Sequence, residues 1–448
     1  MLTHDQARDR AQDLIARALK AGADAADAIY VADASTGVQV RLGALEDVQR
    51  SEGEEIGLRV FVGRQSASAS SSDLSVDALT QLAERAVAMA GQAPEDEFAG
   101  LAPEELLMRE APRDLDIDDG ADVSPQDLRE RALAAEDAAR AVKGVTNSEG
   151  GSAGAGRAII ALATSGGFAG SYSGSSHSVS ASVLAGEGAS MQRDYAYHSV
   201  RHLGDLDDAA AIGREAGDKA VARLNPIKLK SGPMPVVLDP RVGGSLVGHL
   251  IGAITGSSIA RKTSFLLEAL GTEIFGPNIT IIDDPHRLRG LRSKPFDGEG
   301  LPTSRRALID KGVLTTWLLD SASARQLGLQ PTGHAARGVG GPPGAGASNL
   351  HMEAGSISPA DLMADITEGF YVTELIGQGV NGLTGDYSRG ASGFVIRNGQ
   401  IAEAVAEVTI AGNLKEMFRN LTPANDLDFR YGTNVPTLRV EGLTLAGD

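Results

Sequence analysis

The sequence predicts an α+β protein of two domains, each a largely antiparallel sheet with packed helices. Three observations indicate this. Amphipathic helical stretches are separated by groups of strand-like stretches, rather than alternating with single strands. The strand-like stretches are joined by short turns that suit antiparallel neighbours. The length of 448 residues exceeds that of a usual single domain.

The N-terminal half begins with a helix. A capping box at Thr3 and Gln6 marks its start, and Gly22 marks its end. A second helix is predicted over residues 76–90. Residues 92–123 are rich in Pro, Glu and Asp, which predicts an extended acidic connector rather than a core element. Ser124 caps a third helix, which runs to residue 142. We predict strands at 28–32, 37–42, 55–62, 65–70, 158–164, 171–183 and 193–200, and a fourth helix at 209–224.

A boundary at residues 225–235 divides the chain into domains at 1–225 and 226–448. The second domain opens with a buried strand at 236–238, followed by Asp239 as helix cap and Pro240 as first helical residue. The helix places four residues on one face at steps of four, three and four, namely Val242, Leu246, His249 and Ala253. Further strands are predicted at 313–319, 371–375, 393–397, 400–408 and 437–443, with Asn398–Gly399 as a hairpin turn.

Composition limits the classes of function. The formal net charge of −18 and pI of about 4.9 argue against binding to a phosphate backbone, so we expect no nucleic-acid partner. The chain has no cysteine, which excludes disulfides, thiolate zinc sites and a cysteine nucleophile. The N-terminus lacks the apolar core of a signal peptide, and no stretch suits a membrane span. These features predict a cytoplasmic protein with no membrane partner.

Several long runs resemble one known family. They include RSKPFDGEGLPTSRRALIDKGVLTTWLLDSASARQLGL (292–329), GVNGLTGDYSRGASGF (379–394) and EVTIAGNLKEMF (407–418). The chain is identified by them as a member of the TldD/PmbA family, and within it of the PmbA (TldE) branch. The similarity covers essentially the whole chain and is densest from Val236 onward.

The resemblance implies a role in bacterial peptide proteolysis. The TldD branch is a zinc metallopeptidase with an HExxxH motif, in which two histidines bind the metal and the glutamate is the base. The two branches are thought to form a heterodimer that matures or degrades small unfolded peptides, including microcin precursors and antitoxins. The older family label, modulator of DNA gyrase, gains no support from this acidic chain.

The segment of this chain that aligns with HExxxH is GSLVGH, residues 244–249. Gly244 stands in place of the first histidine, Ser245 in place of the glutamate, and only His249 is retained. A catalytic zinc site needs three protein ligands, and one imidazole does not provide them. The resemblance therefore implies a non-catalytic subunit that holds no metal, with zinc and the chemistry in a TldD-type partner.

Candidate peptide-binding residues follow from this alignment and from the conspicuous run at 385–390. His249 is the remnant of the metal site, although a hydrogen-bonded core histidine is the more common role for such a residue. The run DYSR gathers an acid, a phenol, a hydroxyl and a cation, and is interpreted as one turn that either lines a peptide channel or is purely structural. The candidates are His249, Asn349, Asp386, Tyr387, Ser388 and Arg389.

Two other classes of function stay open. One is a stand-alone hydrolase with metal-free chemistry, based on the Asp386–Arg389 run or on the carboxylates Asp297 and Glu299. The other is a homodimeric peptide-binding or assembly protein. The glycine-rich run at 338–346 lacks the Lys-Ser/Thr pair of a phosphate loop and is predicted to be a flexible, gating loop.

Overall fold

The structure is a computed structural model that describes residues 1–447, and it confirms the predicted α+β class. Its N-terminal half contains one sheet and four α-helices. The elements are α1 (His4–Lys20), β1 (Ala25–Arg41), β2 (Ala44–Val62), β3 (Gln65–Ser71), α2 (Val76–Ala90), α3 (Pro125–Arg140), β4 (Val145–Thr164), β5 (Ala169–Ala185), β6 (Gln192–Val200) and α4 (Ala209–Ala222).

The N-terminal sheet is fully antiparallel, with strand order β3-β2-β1-β4-β5-β6. The predicted division into separate strands at 28–32 and 37–42 is wrong, because β1 runs through residues 33–36 without a break. Asp33 pairs with Gly53 of β2 on one side and with Ala158 of β4 on the other. Hydrogen bonds to β2 and β4 on its two edges hold this polar stretch extended, although its local sequence favours a turn.

Helix pairs α1/α2 and α3/α4 cover the N-terminal sheet. Alternate residues of β1 such as Ala28 and Tyr30 join Leu14 of α1 and Leu82 of α2 in one cluster. A second cluster combines α3 and α4 with β5 and β6. The predicted capping box at Thr3 and the predicted cap at Ser124 are both present, so the start of α1 and of α3 is confirmed.

The acidic connector contributes to the core, contrary to the prediction for residues 92–123. Ala102 and Leu107 are buried against Ile29 of β1, on the sheet face opposite α1 and α2. Three backbone carbonyls of this segment, those of Phe98, Gly100 and Leu101, accept hydrogen bonds from the Arg325 guanidinium. Its apolar residues were too sparse to show this packing in the sequence.

The C-terminal half has more and shorter elements. They are β7 (Gly232–Pro233), β8 (Val236–Leu238), α5 (Pro240–Ile254), α6 (Gly256–Ala260), β9 (Ile281–Asp283), β10 (Arg306–Asp310), β11 (Val313–Leu314), α7 (Ser321–Leu327), β12 (Ala335–Ala336), β13 (Gly344–Ala345), β14 (Leu350–Met352), α8 (Pro359–Met363), β15 (Glu368–Ile376), β16 (Asp386–Arg397), β17 (Gln400–Asn413), α9 (Leu414–Arg419), β18 (Leu421–Pro423), β19 (Thr433–Asn434), β20 (Leu438–Val440) and β21 (Thr444–Ala446).

An eight-stranded sheet of order β18-β20-β8-β15-β16-β17-β21-β7 forms the centre of this half. It is antiparallel except where β8 runs parallel to β15. A five-stranded sheet, β11-β10-β9-β14-β19, shares its main core. The hairpin between β16 and β17 turns at Asn398 and Gly399, both with positive φ, as predicted.

The two halves are in contact through a buried ion cluster. Asp27 of β1 contacts Arg59 of β2 and Arg337 of the segment between β12 and β13. Beside it, the backbone of Val339 lies so close to Gly57 that any Cβ there would overlap its carbonyl oxygen. The glycine-rich run predicted to gate is therefore anchored at this point. No helix within residues 1–447 is long and apolar enough to cross a membrane.

Candidate functional site

His249 lies on the flank of helix α5, not in its buried face. Asp239 caps the helix by accepting from the Arg241 N–H at 3.0 Å, and Pro240 is its first residue, as predicted. The core-facing residues are Gly243, Leu246, Val247, Leu250, Ala253 and Ile254. Val242, Ser245 and His249 are half-buried and follow each other at steps of three and four, so they form a separate flank.

The run DYSR is the beginning of strand β16, so its interpretation as one turn is wrong. Successive side chains of a strand point to opposite faces. Tyr387 and Arg389 are buried, whereas Asp386 and Ser388 are exposed. The backbone pairs with β17 from Asp386 onward, and the Ser388 N–H donates to the Gly379 carbonyl at 2.6 Å. The strand thus separates the four candidates into two pairs.

Asp386, one of the exposed pair, is held by side-chain hydrogen bonds. The Asp386 carboxylate accepts from the Thr384 hydroxyl at 2.7 Å and from the Asn413 amide at 3.1 Å. These bonds hold the pKa of Asp386 below its usual value. Asp386 therefore fixes the entry into β16 rather than standing free as an acid or base.

The buried pair meets His249. The rings of His249 and Tyr387 lie edge to face with centroids 6.0 Å apart. Burial lowers the pKa of His249, and the nearby Arg389 charge lowers it further, so the imidazole is neutral at neutral pH. Burial raises the pKa of Tyr387 to about 12, although Arg389 acts in the opposite direction.

Two polar atoms of this contact have no hydrogen-bond partner within the described chain. They are Nε2 of His249 and the hydroxyl of Tyr387, and both atoms are buried. Buried polar atoms are normally paired, since an unpaired one costs about 1–3 kcal/mol. These unpaired buried atoms set the surroundings of His249 apart from an ordinary core.

We predict that Tyr387→Phe leaves the free energy of unfolding unchanged or raises it by up to about 1–3 kcal/mol, because the hydroxyl it removes is buried and unpaired. The matched control is Tyr371→Phe, since the Tyr371 hydroxyl donates to the Asp239 carboxylate at 2.9 Å. That variant is expected to lose about 1–2 kcal/mol, because it breaks a bond to a charged group. Urea denaturation measures both, and equal losses would contradict the assignment.

Asn349 lines a cavity formed with residues of β6 and of the segments at 287–291 and 428–431, and His249 is not among the residues that line it. Its amide oxygen accepts from the Arg292 N–H at 2.8 Å, and its amide nitrogen donates to the Asp284 carbonyl and the Ser293 hydroxyl, each at 2.8 Å. Both amide hydrogens are used in this way. Asn349 clamps the loop at residues 284–293 through these bonds.

The donor set on α5 does not fit a zinc ion. Gly244 offers no side chain, and the Ser245 hydroxyl donates to the Val242 carbonyl at 2.7 Å. His249 therefore supplies a single ligand where a catalytic zinc site uses three. Within residues 1–447 no group of three or more His, Cys, Asp or Glu side chains is placed to hold a metal ion.

The carboxylates Asp297 and Glu299 are tied into the backbone. Asp297 accepts from the amides of Glu299 and Leu301 at 2.9 Å and of Ala335 at 3.1 Å. Glu299 accepts from the Ser321 amide and hydroxyl at 2.8 and 2.7 Å, at the start of α7. Each residue is 2% exposed. Their contacts are those of a loop brace, with no open face toward a substrate.

Between the two halves lies a cavity of about 310 Å³ that the sequence did not reveal. Ser245 and Arg389 line it from the C-terminal half, and Arg193, Asp194 and Tyr195 from β6. Arg241 spans the two sides, donating to Asp194 at 2.8 and 3.1 Å. The sequence placed Arg241 near the predicted helix start but did not indicate its partner, because Asp194 lies 47 residues earlier.

Family models for PmbA/TldA metallopeptidases match most of the chain. Domain 1 of that family matches residues 26–90, the central domain residues 118–224, and the C-terminal domain residues 231–447.

Two similar proteins match over almost their full length. Metalloprotease PmbA of Escherichia coli O157:H7 is 40% identical over 441 residues, which cover 97% of this chain and 96% of the relative. The metalloprotease PmbA homolog of Haemophilus influenzae is 36% identical over 436 residues, which cover 96% of this chain and 94% of that relative.

Solved structures share the fold. A Bacteroides thetaiotaomicron protein with the provisional name modulator of DNA gyrase superposes with a TM-score of 0.92 at 29% identity, over 100% of both chains. TldE of Thermococcus kodakarensis superposes with a TM-score of 0.87 at 22% identity, over 98% of this chain and 100% of that one. At that identity the second match shows the fold alone.

Proposed function

The chain belongs to the PmbA/TldD metallopeptidase family, and from this we propose that it is the non-catalytic, TldE-type subunit of a zinc peptidase. In the proposed complex a TldD-type partner binds the zinc and carries out the hydrolysis. This chain completes the peptide chamber and helps to hold small unfolded peptides, of the kind that microcin precursors and antitoxins provide.

The observation that carries the proposal is the donor set of helix α5. Relatives of this chain are named metalloproteases, yet the segment at 244–249 offers one imidazole. His249 is neutral at neutral pH and would be a competent ligand by itself, but its neighbours Gly244 and Ser245 supply neither a second ligand nor a base for the attacking water. This supports placing the zinc in the partner.

The second support is the pair of unpaired, buried polar atoms beside this helix. A subunit that binds peptides without cleaving them needs hydrogen-bonding groups that its own fold does not use. Nε2 of His249 and the Tyr387 hydroxyl meet that condition, and Arg389 adds a positive charge next to them. We propose that these three residues form the part of the chain that binds the peptide, and we assign Asn349, Asp386 and Ser388 to the framework around it.

The metal-free hydrolase is less well supported. It would use Asp297 with Glu299, or the Asp386–Arg389 run. The first pair is buried and bonded to backbone amides, and the second is divided between two faces of β16. Neither arrangement brings an acid and a base to one accessible point, which general acid–base catalysis requires.

The test uses the purified chain, a cognate TldD-type protein and an unstructured peptide, with cleavage followed by mass spectrometry. We expect cleavage by the mixture that a zinc chelator abolishes, and none by this chain alone. Replacing the glutamate of HExxxH in the partner by Gln should abolish cleavage by the mixture, because the base lies there. Zinc-dependent cleavage by this chain alone would contradict the proposal.

Light scattering of the same samples tests the pairing. A mass equal to one chain of each kind, or a multiple of that pair, is expected for the mixture. A mixture in which this chain remains with copies of itself, with the partner separate, would favour the homodimeric assembly protein instead. We also propose a cytoplasmic location, which cell fractionation can check.

A further inference from the structure

We propose that the cavity between the two halves binds the C-terminal carboxylate of an extended peptide, with Arg389 as the residue that recognises the charge. The cavity is the one of about 310 Å³ that Ser245, Arg389 and β6 line. The inference rests on the proposed peptide-holding function and specifies which end of the peptide the chain recognises.

Arg389 is a buried cation that has no acidic partner among the described residues 1–447. Arg389 is 9% exposed, and its Nε donates to the Ile376 carbonyl at 3.3 Å. Within residues 1–447, no Asp or Glu oxygen lies within 4.0 Å of its guanidinium nitrogens. Burying a charge is costly unless an opposite charge compensates it, so a site of this kind favours an anion.

The acidic residues of the cavity are already paired with other arginines. Asp194 binds Arg241 through two bonds and Arg223 through a third at 3.2 Å. Glu374 pairs with Arg223. Because these two carboxylates are engaged by two guanidinium groups, the charge of Arg389 is left over. A positive cavity in a chain of net charge −18 is a local feature, not a reflection of overall composition.

The geometry of a guanidinium favours a carboxylate. Two parallel N–H groups of Arg match the two oxygens of a carboxylate and form charge-assisted hydrogen bonds. The volume of the cavity falls at the lower end of the range of about 300–1,000 Å³ for ligand pockets. A terminal residue of a peptide with its carboxylate is a ligand of suitable size and charge.

The cavity adjoins a groove that suits an extended chain, because the two share lining residues. The groove has a volume of about 590 Å³ and shares Arg193 and Tyr195 with the cavity. Serine hydroxyls of β4 and β5 line it, including Ser152 and Ser180, which hydrogen-bond to each other at 2.8 Å. A peptide lying along these hydroxyls can place its last residue in the cavity. This continuity favours a peptide terminus over a free small anion.

The experiment measures equilibrium binding of a short Gly-Ser-Ala peptide, fluorescently labelled at its N-terminus, to the full chain by anisotropy. The same peptide is prepared with a free C-terminal carboxylate and with a C-terminal amide. The wild-type chain is expected to bind the carboxylate form about tenfold more tightly, which corresponds to about 1.4 kcal/mol. Arg389→Gln should remove this preference, and Arg389→Lys should retain part of it.

Arg50→Gln is the matched control, because it removes the same charge from an exposed position on β2. It should keep the preference for the carboxylate. Circular dichroism and thermal melting establish that each variant is folded, and the lysine variant keeps the test valid if the glutamine variant is not. An Asp placed inside the amidated peptide tests whether a side-chain carboxylate substitutes for the terminal one.

Equal binding of the two peptides to the wild-type chain would overturn the proposal, as would a preference that Arg389→Gln leaves unchanged. Tight binding of the internal Asp peptide alone would also overturn the assignment to the peptide terminus. In each of these cases zinc-dependent cleavage by the mixture with the partner would leave the proposed function standing. Failure to bind either peptide, together with no cleavage by the mixture, would remove both.

Discussion

Replacing Asp27 with Ala is expected to lower the free energy of unfolding by about 3–5 kcal/mol, among the largest effects of any single substitution in this chain. Asp27 is 1% exposed and is the shared partner of two arginines. Without it, Arg59 and Arg337 are left as buried charges of the same sign. A buried charge that loses its only partner costs far more than an exposed salt bridge gains.

The geometry around Asp27 supports this size of effect. Arg59 donates from Nε to Asp27 Oδ2 at 3.1 Å, and its guanidinium also lies 5.0 Å from the centre of the Phe61 ring. Arg337 contacts the other carboxylate oxygen with a side chain that is 1% exposed. Although burial alone would raise the pKa of Asp27, the two cations hold it below its usual value. The carboxylate is therefore charged at neutral pH.

Two controls separate lost charge pairing from lost packing. Asp33→Ala removes an exposed carboxylate from the same strand and is expected to change stability by less than about 0.5 kcal/mol. The triple variant Asp27→Leu, Arg59→Met, Arg337→Met removes all the charges, and it should recover most of the lost stability. Urea denaturation of the four proteins is the measurement. A triple variant as unstable as Asp27→Ala would contradict an electrostatic cause.

Local chemistry made the helix starts predictable. Thr3, Ser124 and Asp239 each accept from a backbone N–H two or three residues later, and Pro240 follows where a missing N–H costs nothing. The hairpin at Asn398–Gly399 is of the same kind, since its positive φ angles suit these two residues. In each case every interacting group lies within a few positions along the chain.

Contacts between distant residues made the other features unpredictable. Strand β1 is continuous through residues 33–36 because β2 and β4 pair with it on both edges. The segment at 92–123 enters the core because Arg325, more than two hundred positions later, binds its carbonyls. A single sequence shows a polar or proline-rich stretch in both places and gives no sign of the partner.

In the candidate site, too, some features were predictable from the sequence and others were not. The alignment of GSLVGH with a metal motif identified α5 and His249, and the structure places Tyr387 and Arg389 against them. The crowding of acid, phenol, hydroxyl and cation into one run of sequence was misleading, because strand alternation sends Asp386 and Ser388 to the other face. The cavity depends on residues of β6 and was beyond the reach of sequence reasoning.

The second large effect concerns Glu299 and depends on pH. Burial, reinforced by the charge of Asp297, raises the pKa of Glu299 to about 7 from an ordinary value of 4.5. The folded state thus binds this proton more tightly than the unfolded state does. The stabilisation is fully present below about pH 4.5 and is lost as the pH rises through 7, a difference of about 3 kcal/mol at most.

Glu299→Gln is therefore expected to be more stable than the wild-type chain by about 1–3 kcal/mol at pH 8, and equally stable near pH 5. The amide oxygen can still accept from the Ser321 amide and hydroxyl, so the brace at the start of α7 is kept while the buried negative charge is removed. Urea denaturation at the two pH values measures the difference. Glu105→Gln, at an exposed position, is the control and should leave stability unchanged at both. Parallel pH profiles for Glu299→Gln and the wild-type chain would mean that Glu299 has the same pKa in the folded and unfolded states, which would contradict its raised pKa.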